Sequence, residues 1–467
     1  MLIRKASICF PVLAALVCSL LAVPSFADSQ VRIVRLSQVE GNVQIDRNTG
    51  QGYEKAFLNL PVTQGVKLRA KDEGRAEIEF ENGSTLRIIP GTVIEFPELS
   101  MRDSGAKVTS VKLQEGTAYL NFNGAKDDEF TLNFGREKMV LTHSAHLRVA
   151  MGDTDATVAV FKGDVEVAGP SGTVQVGKKQ TATFDLADQD KYTLAKNLEK
   201  DPYDAWDKQQ EDYHQRYLNS SYTNYSPYAY GMSDLNYYGN YSYVPGYGTM
   251  WQPYFAGAGW DPFMNGSWVW YPGFGYTWVS GYPWGWTPYR YGSWLYVPNY
   301  GWGWQPGGSR LGWNTVPRVI NPPRQFIPPQ PPATSGHGTI VVGRGPFVTP
   351  AGSGIAGSGN KVVIHDASAG LGIPRGSIRN LGKVSQQVKQ EGTVTTTVHT
   401  MPVRTSSAAA ASPAVRGSSA SGSSASRPAA PASRASSPRM SSPEPRSAPP
   451  PRSAPAPHST IPHTPPK

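Results

Sequence analysis

Aromatic side chains are concentrated in one stretch of this chain, residues 203–313. All twelve tryptophans and twenty of the twenty-three tyrosines fall there. Glycine and proline separate the rings, and leucine and isoleucine are sparse. Because each buried ring removes about 150–250 Å² from water, rings can supply the core of a small domain without aliphatic residues. The stretch must therefore pack rings between tight turns, which favours short β-hairpins.

A repeat within this block supports the hairpins. One phrase, Pro-(Gly/Asn)-aromatic-Gly followed closely by Trp, begins at Pro245, Pro272 and Pro298, at spacings of 27 and 26 residues. A second phrase, Gly-Ser-Trp, begins at Gly266 and Gly292, also 26 residues apart. Turn residues at a fixed period, with aromatics between them, predict repeated hairpins over residues 246–315.

Two alternatives stay open for the rings. They can pack against one another as a core, or some can stay exposed and stack on sugars or extended peptides. Under the second alternative the rings of the turn between repeats, Trp284, Trp286 and Tyr289, are predicted to be exposed. The predicted ligand-binding residues are Trp284, Trp286, Tyr289, Trp294, Trp302 and Trp304.

Residues 31–190 show a different pattern, with period-two alternation between glycine-bearing turns. The Asn82-Gly83 pair lies between two alternating runs, and this arrangement is a strong signal for a hairpin, because both residue types tolerate positive φ. Further strands are predicted at 111–122, 130–134, 139–149 and 157–161. No helical stripe stands out in this stretch, so we expect a sheet-rich domain.

These residues resemble the FecR-type extracytoplasmic domain. The resemblance is carried by Gly41-Asn42-Val43, the segment from Asn82 to Ile88, the segment from Val111 to Gly116, and the late strand pair at 157–167. It implies an all-β protein-interaction module that relays signals at the envelope. In known members a cytoplasmic anti-sigma segment and a membrane span precede this domain. Here an export signal stands in that place, so direct control of a sigma factor is not expected.

The aromatic block carries a second resemblance. The segments 276–280, 282–286, 288–294 and 300–304 are similar to a bacterial domain of unknown function that often accompanies the FecR-type domain in exported proteins. This resemblance implies architecture and location but assigns no chemistry.

The first 27 residues are typical of a cleavable signal peptide. Arg4 and Lys5 precede an apolar run, and Ser25-Phe26-Ala27 offers small residues at the cleavage site. Both cysteines, Cys9 and Cys18, lie in this segment, so the mature chain is expected to lack thiols and disulfides. The expected location is periplasmic or secreted, with no transmembrane span after cleavage.

The net charge of +9 is carried by the ends of the chain. Residues from Met401 onward contribute +7 and the signal peptide +2, so the body between them is neutral. Nucleic-acid binding needs a basic surface that displaces counterions, and the neutral body argues against it.

The remaining segments are predicted to connect and extend the two β units. Residues 191–245 are assigned to a linker, with one helix over 188–218 and a flexible lead-in over 213–247. Residues 316–400 form a proline-rich connector that carries strands at 339–342 and 361–364 and a helix at 377–390, and this element can pack back on the aromatic block. The tail, 401–467, lacks aromatic residues and is predicted to be disordered.

No candidate catalytic or metal-binding motif in the sequence has the surroundings that its chemistry needs. His143 and His146 are three residues apart on a predicted strand, where they point to opposite faces. Asp127, Asp128 and Glu129 form an exposed turn rather than an acid and base in different environments. The segment 352–357 matches a dinucleotide fingerprint, but it follows no strand and opens no helix. We expect neither an enzyme nor a cofactor.

The predicted fold class is all-β, with a FecR-like domain, a smaller aromatic-rich β-repeat domain and a disordered tail. The predicted function is that of an exported, non-catalytic interaction or scaffold protein of the cell envelope, whose partners are envelope proteins. The alternative is a polysaccharide-binding protein that uses exposed Trp and Tyr of the repeat block.

Overall fold

Seventeen strands build the N-terminal region of the computed structural model, which describes residues 32–124, 127–218, 228–307, 318–333, 338–343 and 360–398. The strands are β1 (Val34–Glu40), β2 (Val43–Asp46), β3 (Glu54–Lys55), β4 (Pro61–Val62), β5 (Lys67–Ala70), β6 (Arg75–Glu79), β7 (Thr85–Ile88), β8 (Thr92–Met101), β9 (Lys107–Phe122), β10 (Glu129–Phe134), β11 (Glu137–Leu141), β12 (Ala145–Met151), β13 (Asp155–Lys162), β14 (Asp164–Gly169), β15 (Gly172–Gly177), β16 (Thr181–Asp185) and β17 (Lys191–Ala195). The predicted β-rich fold is therefore confirmed for this region.

Strand β9 joins the two halves of this region. Its first half pairs with β8 and β10, and its second half pairs with β7 and β12. The strand changes partners at Gly116, which has φ +81° and whose Cβ, if present, would lie 2.4 Å from the Gly91 carbonyl oxygen. Only glycine fits this bend. Apolar side chains from both halves then form one core.

The predicted Asn-Gly hairpin is confirmed. Strands β6 and β7 pair in antiparallel register, and Gly83 at the turn has φ +79°. The single strand predicted at 139–149 is instead two strands, β11 and β12, separated by Thr142–Ser144.

The rest of the chain contains three helices and ten strands among the described residues. They are α1 (Asp204–Leu218), α2 (Met232–Tyr238), β18 (Gly239–Val244), β19 (Gly248–Pro253), β20 (Asn265–Tyr271), β21 (Gly275–Ser280), β22 (Ser293–Val297), β23 (Gly301–Gln305), β24 (Arg318–Ile320), β25 (Thr339–Gly343), β26 (Asn360–His365), α3 (Leu381–Glu391) and β27 (Thr393–Val398), with 3₁₀ turns at Thr287–Tyr289 and Asp366–Ser368. Of these described helices, none is long and apolar enough to cross a bilayer.

The three repeated phrases form three hairpins, as the period predicts. Each phrase supplies a three-residue turn, between β18 and β19, β20 and β21, and β22 and β23. The second turn residue has positive φ in every copy, at Gly246, Gly273 and Asn299. The repeat period also aligns the rings, because Trp268 faces Trp278 and Trp294 faces Trp304 across their hairpins. Such cross-strand aromatic pairs stabilise the sheet.

Two predictions about the segment between the β units are wrong. Residues 191–195 form β17, which pairs with β16, so the helix predicted over 188–218 is limited to α1. The segment predicted to be a flexible lead-in contains α2, which is almost fully buried, and β18, which pairs with β19. The sequence of α2 shows no apolar stripe because six of its seven residues are buried.

The C-terminal connector packs back on the aromatic block, as predicted. The strands predicted at 339–342 and 361–364 are β25 and β26, and the predicted helix is α3, which begins four residues later than expected. Ile364, Ile373, Leu381 and Val388 belong to the same core as the tryptophans. The predicted signal peptide and the predicted disordered tail lie outside the described residues.

Candidate functional site

The six rings predicted to bind a ligand are buried, five of them in the core of the aromatic block and Trp286 against Ile33 and Tyr230. Their exposed fractions run from 0% to 4% for Trp284, Trp286, Tyr289, Trp294, Trp302 and Trp304. Trp284 is central: its ring stacks on Tyr282 at 4.9 Å and contacts Trp251 at 4.8 Å. Its indole N–H donates to the Ala369 carbonyl oxygen at 2.7 Å. The exposure predicted for Trp284, Trp286 and Tyr289 is therefore wrong. The connector contacts Trp284, Tyr230 packs on Trp286, and Arg35 of the N-terminal sheet donates to the Pro283 carbonyl oxygen of the turn. Ligand binding by the six residues stays a prediction.

The histidines and acids singled out in the sequence have separate roles. His146 contacts Asp207 on α1 at 2.7 Å, whereas His143 contacts its neighbour Thr142. Asp128 accepts a hydrogen bond from the Lys107 backbone N–H at 2.9 Å. Across the part of the chain that the structure describes, no group of three or more His, Cys, Asp and Glu could hold a metal ion. The segment 352–357 lies outside the described residues.

A buried ion network, which the sequence analysis missed, lies between the N-terminal sheet and the helices. Its members are Arg35, Glu77, Glu79, Arg87, Asp207, His214, Asp234 and Arg375. They come from β1, β6, β7, α1, α2 and the connector, so the network ties segments far apart in the chain. The network joins the N-terminal sheet to α1, α2 and the connector.

Glu77 is the centre of this network. It faces Arg87 across the β6–β7 hairpin at 2.8 Å, and it accepts from His214 of α1 at 2.9 Å and from Arg375 at 2.6 Å. Burial acts to raise the pKa of Glu77, but His214, Arg375 and Arg87 together hold that pKa well below its usual range. Glu77 is therefore a buried carboxylate that is stabilised by these partners, and removing one of them is costly.

Arg375 brings the connector into the network. Its guanidinium donates to both Asp234 carboxylate oxygens at 3.0 Å and to the Ser37 carbonyl oxygen at 2.8 Å, and it lies 5.0 Å from the Tyr213 ring centroid. Burial acts to raise the pKa of Asp234, but Arg375 and Arg35 lower it below its usual value. The fork geometry of arginine suits this bidentate contact.

Beside the network an open groove of about 580 Å³ lies between the aromatic hairpins and α3. Its floor is aromatic and polar: Tyr237, Tyr254 and Tyr300 line it together with Asn240 and Gln252. The size lies within the range of small-molecule sites, about 300–1,000 Å³. A groove of this kind can stack a ring and hydrogen-bond its hydroxyl groups.

Hydrogen bonds hold the groove side chains in place. Gln252 donates to the Tyr300 and Trp302 carbonyl oxygens at 3.2 and 2.9 Å, and the Tyr300 hydroxyl lies 2.7 Å from Ser242 Oγ. Asn236 donates to the Tyr217 carbonyl oxygen at 2.6 Å, while its own Oδ1 is buried and has no hydrogen-bond partner among the described residues. Burial raises the pKa of Tyr237 to about 12, so its hydroxyl stays protonated.

A second surface with binding potential is the edge strand β17. It pairs with β16 on one side, and within the described chain its other side has no strand neighbour. All five of its residues are exposed, and Tyr192 and Leu194 are 40% and 43% exposed on one face. Open edges of this kind can accept an additional strand.

Comparisons with known proteins agree with both resemblances. The family described as FecR protein matches residues 66–166, and a family of unknown function, DUF6600, matches residues 232–323. A search of curated proteins finds no match.

Two crystal structures of a candidate anti-sigma factor from Parabacteroides distasonis, at 2.50 and 1.65 Å resolution, are similar to this chain at 16% sequence identity. The matches cover 28% and 31% of this chain, with TM-scores of 0.25 and 0.26. The chain spans less than two thirds of the length of these structures, 59% and 64%. On the two family matches, the chain contains a FecR-type domain at residues 66–166 followed by a DUF6600 domain at residues 232–323.

Proposed function

We propose that this chain is an exported, non-catalytic interaction protein of the cell envelope, in which the FecR-type domain acts as a signalling-accessory module. The observation that carries the proposal is the open edge of β17, a strand paired only with β16 among the described residues, on which Tyr192 and Leu194 are exposed. Natural sheets usually protect such an edge with charges or a covering segment. The partner we propose is an extended segment of an envelope protein that adds to this edge through backbone hydrogen bonds.

Site-specific photo-crosslinking in cells tests this proposal. A crosslinker at Leu194 is expected to capture a discrete envelope protein, and one at Ile327, which is 82% exposed and lies in the connector, is not. Leu194→Lys should abolish the adduct formed from position 192, because charge on an edge strand opposes strand addition. Equal adducts at positions 194 and 327, or an adduct that survives Leu194→Lys, would contradict the proposal.

The second candidate function is polysaccharide binding by the repeat block, at a site other than the one the sequence suggested. The groove lined by Tyr237, Tyr254 and Tyr300 favours it, since aromatic faces and amides occur there together. Calorimetric titration with cell-wall and exopolysaccharide fragments tests this function. Binding that Tyr254→Leu removes, with the thermal midpoint largely retained, would support it. Heat signals identical in wild type and Tyr254→Leu would count against it.

A further inference from the structure

All charged side chains that line the groove are positive. Three cations, Arg379, Lys383 and Lys389, stand among its lining residues, which include no Asp or Glu. All three are exposed. Lys383, Gln386 and Lys389 follow each other at intervals of three, so they lie along one face of α3. Leu381, Ser385 and Val388 of the same helix are buried, and Leu381 and Val388 pack in the aromatic core, which fixes the helix beside the groove.

These cations have no carboxylate partner in the described part of the chain. No Asp or Glu oxygen there lies within 4.0 Å of Arg379, Lys383 or Lys389. Four residues before Arg379, Arg375 is surrounded by the carboxylates of Glu77 and Asp234. Glu77 and Asp234 are thus engaged inside the protein, and Glu391 at the end of α3 is exposed and does not line the groove. The positive field of the groove is left for an outside anion.

We propose that the groove binds an acidic oligosaccharide, a chain of sugar rings that carry carboxylate groups. This inference rests on the polysaccharide-binding function proposed above and specifies its ligand. The half-buried rings of Tyr254 and Tyr300 line the groove for stacking, and Asn240 and the Gln252 side-chain carbonyl oxygen offer hydrogen bonds to hydroxyl groups. Arg379 and the two α3 lysines pair with the carboxylates.

Charge also argues against the chain's own tail as the occupant. Residues 401–467 carry seven arginines and one lysine against one glutamate. A segment of the same sign as the groove would be repelled from it. A free inorganic anion would bind the cations but not the tyrosine rings or the amides. Because cations, aromatic rings and amides occur together in the groove, a charged sugar fits it better.

Titration calorimetry with tetragalacturonate and with its methyl ester tests the inference, because the ester keeps the sugar rings and removes the charge. The full chain, purified without its signal segment, is expected to bind the acid about tenfold more tightly than the ester at low salt, since three exposed ion pairs contribute a few-fold each at most. Raising the ionic strength should reduce this preference.

Variants separate charge from ring recognition. Lys383→Ala/Lys389→Ala should reduce the preference for the acid to about threefold or less, while Lys138→Ala, at an exposed position of β11 that does not line the groove, should leave it unchanged. All three lysines are exposed, so both variants should keep the fold. Gln386→Ala, at an exposed position of the groove, is a further variant that leaves the charge unchanged.

The outcomes are distinguishable. Equal affinity for acid and ester, lost in Tyr254→Leu, would overturn the acidic ligand and leave polysaccharide binding standing. Absence of binding by either compound would overturn the acidic ligand, and if neutral fragments also fail to bind, the polysaccharide function falls with it. A preference for the acid that survives the double lysine variant would overturn the role of the α3 cations.

Discussion

Replacing Arg375 by alanine is expected to destabilise the protein strongly and to release the connector from the N-terminal sheet. The guanidinium donates hydrogen bonds to Glu77, Asp234 and the Ser37 carbonyl oxygen, at 2.6–3.0 Å. Its side chain is 7% exposed, and those of Glu77 and Asp234 are 0% and 2% exposed. Alanine would leave two carboxylates in a place that water does not reach.

The structure sets the size of this effect. Removing one partner of a buried ion pair costs about 3–5 kcal/mol, and the loss of the cation–π contact with Tyr213 adds about 0.5–2 kcal/mol. Arg87 and Arg35 stay beside Glu77 and Asp234 and offset part of the loss. We therefore expect the free energy of unfolding to fall by about 3 kcal/mol. Arg375→Lys keeps the charge but loses the bidentate contact, so we expect an intermediate loss.

Urea denaturation followed by tryptophan fluorescence measures the effect, with Arg379→Ala at the exposed groove rim as the matched control. The difference between wild type and Arg375→Ala should shrink as the pH falls below about 4. Glu77 and Asp234 have pKa values below their usual ones in the folded state. The unfolded chain then binds more protons, so this stabilisation is present at neutral pH and is lost in acid. A loss under 1 kcal/mol, or one independent of pH, would refute this reasoning.

Three further predictions concern other sites. Burial and the nearby Asp190 raise the pKa of Glu137 from 4.5 to about 7. The folded state therefore binds the Glu137 proton more tightly than the unfolded state, and the protein loses stability as the pH rises from 4.5 to 7. Glu137→Gln should raise the free energy of unfolding at pH 8 by about 1–3 kcal/mol, measured by urea titration. Gly292→Ala should lower the thermal midpoint far more than Gly246→Ala. Both glycines have positive φ, but a Cβ at position 292 would lie 2.3 Å from the Gln305 carbonyl oxygen, whereas a Cβ at position 246 would contact nothing. Trp284→Ala should cost about 3–5 kcal/mol by the same denaturation assay, and a loss under 1 kcal/mol would contradict its place in the core.

Turn chemistry explains why much of the fold could be predicted from the sequence. The Asn82-Gly83 hairpin and the three proline-led turns depend on local backbone preference, which the sequence displays directly. Strand β17 and helix α2 could not be predicted in this way. β17 is only five residues long and has no buried face to mark it, and α2 is buried nearly all round, so no stripe marks it.

The ion network escaped prediction for a different reason. Glu77 and Glu79 alternate with Ala76 and Ile78 along β6, a pattern that predicts a solvent-facing row of acids. The structure buries that row instead, because α1 and α2 cover this face of the sheet and bring His214 and Asp234 to it. A covering layer from more than a hundred residues away leaves no trace in the local pattern.

The same long-range packing decides which rings are available to a ligand. The Pro283 carbonyl oxygen in the turn between repeats accepts a hydrogen bond from Arg35 of β1, and Asn59 donates to the Ser280 and Tyr282 carbonyl oxygens at 3.0 and 2.7 Å. Buried carbonyl groups need such donors, so the turn that the sequence suggests as a binding surface is instead bonded to the FecR-type sheet. Since that side of the block is covered, a ligand of the repeat block can approach only from elsewhere, and the tyrosine groove beside α3 is such a side.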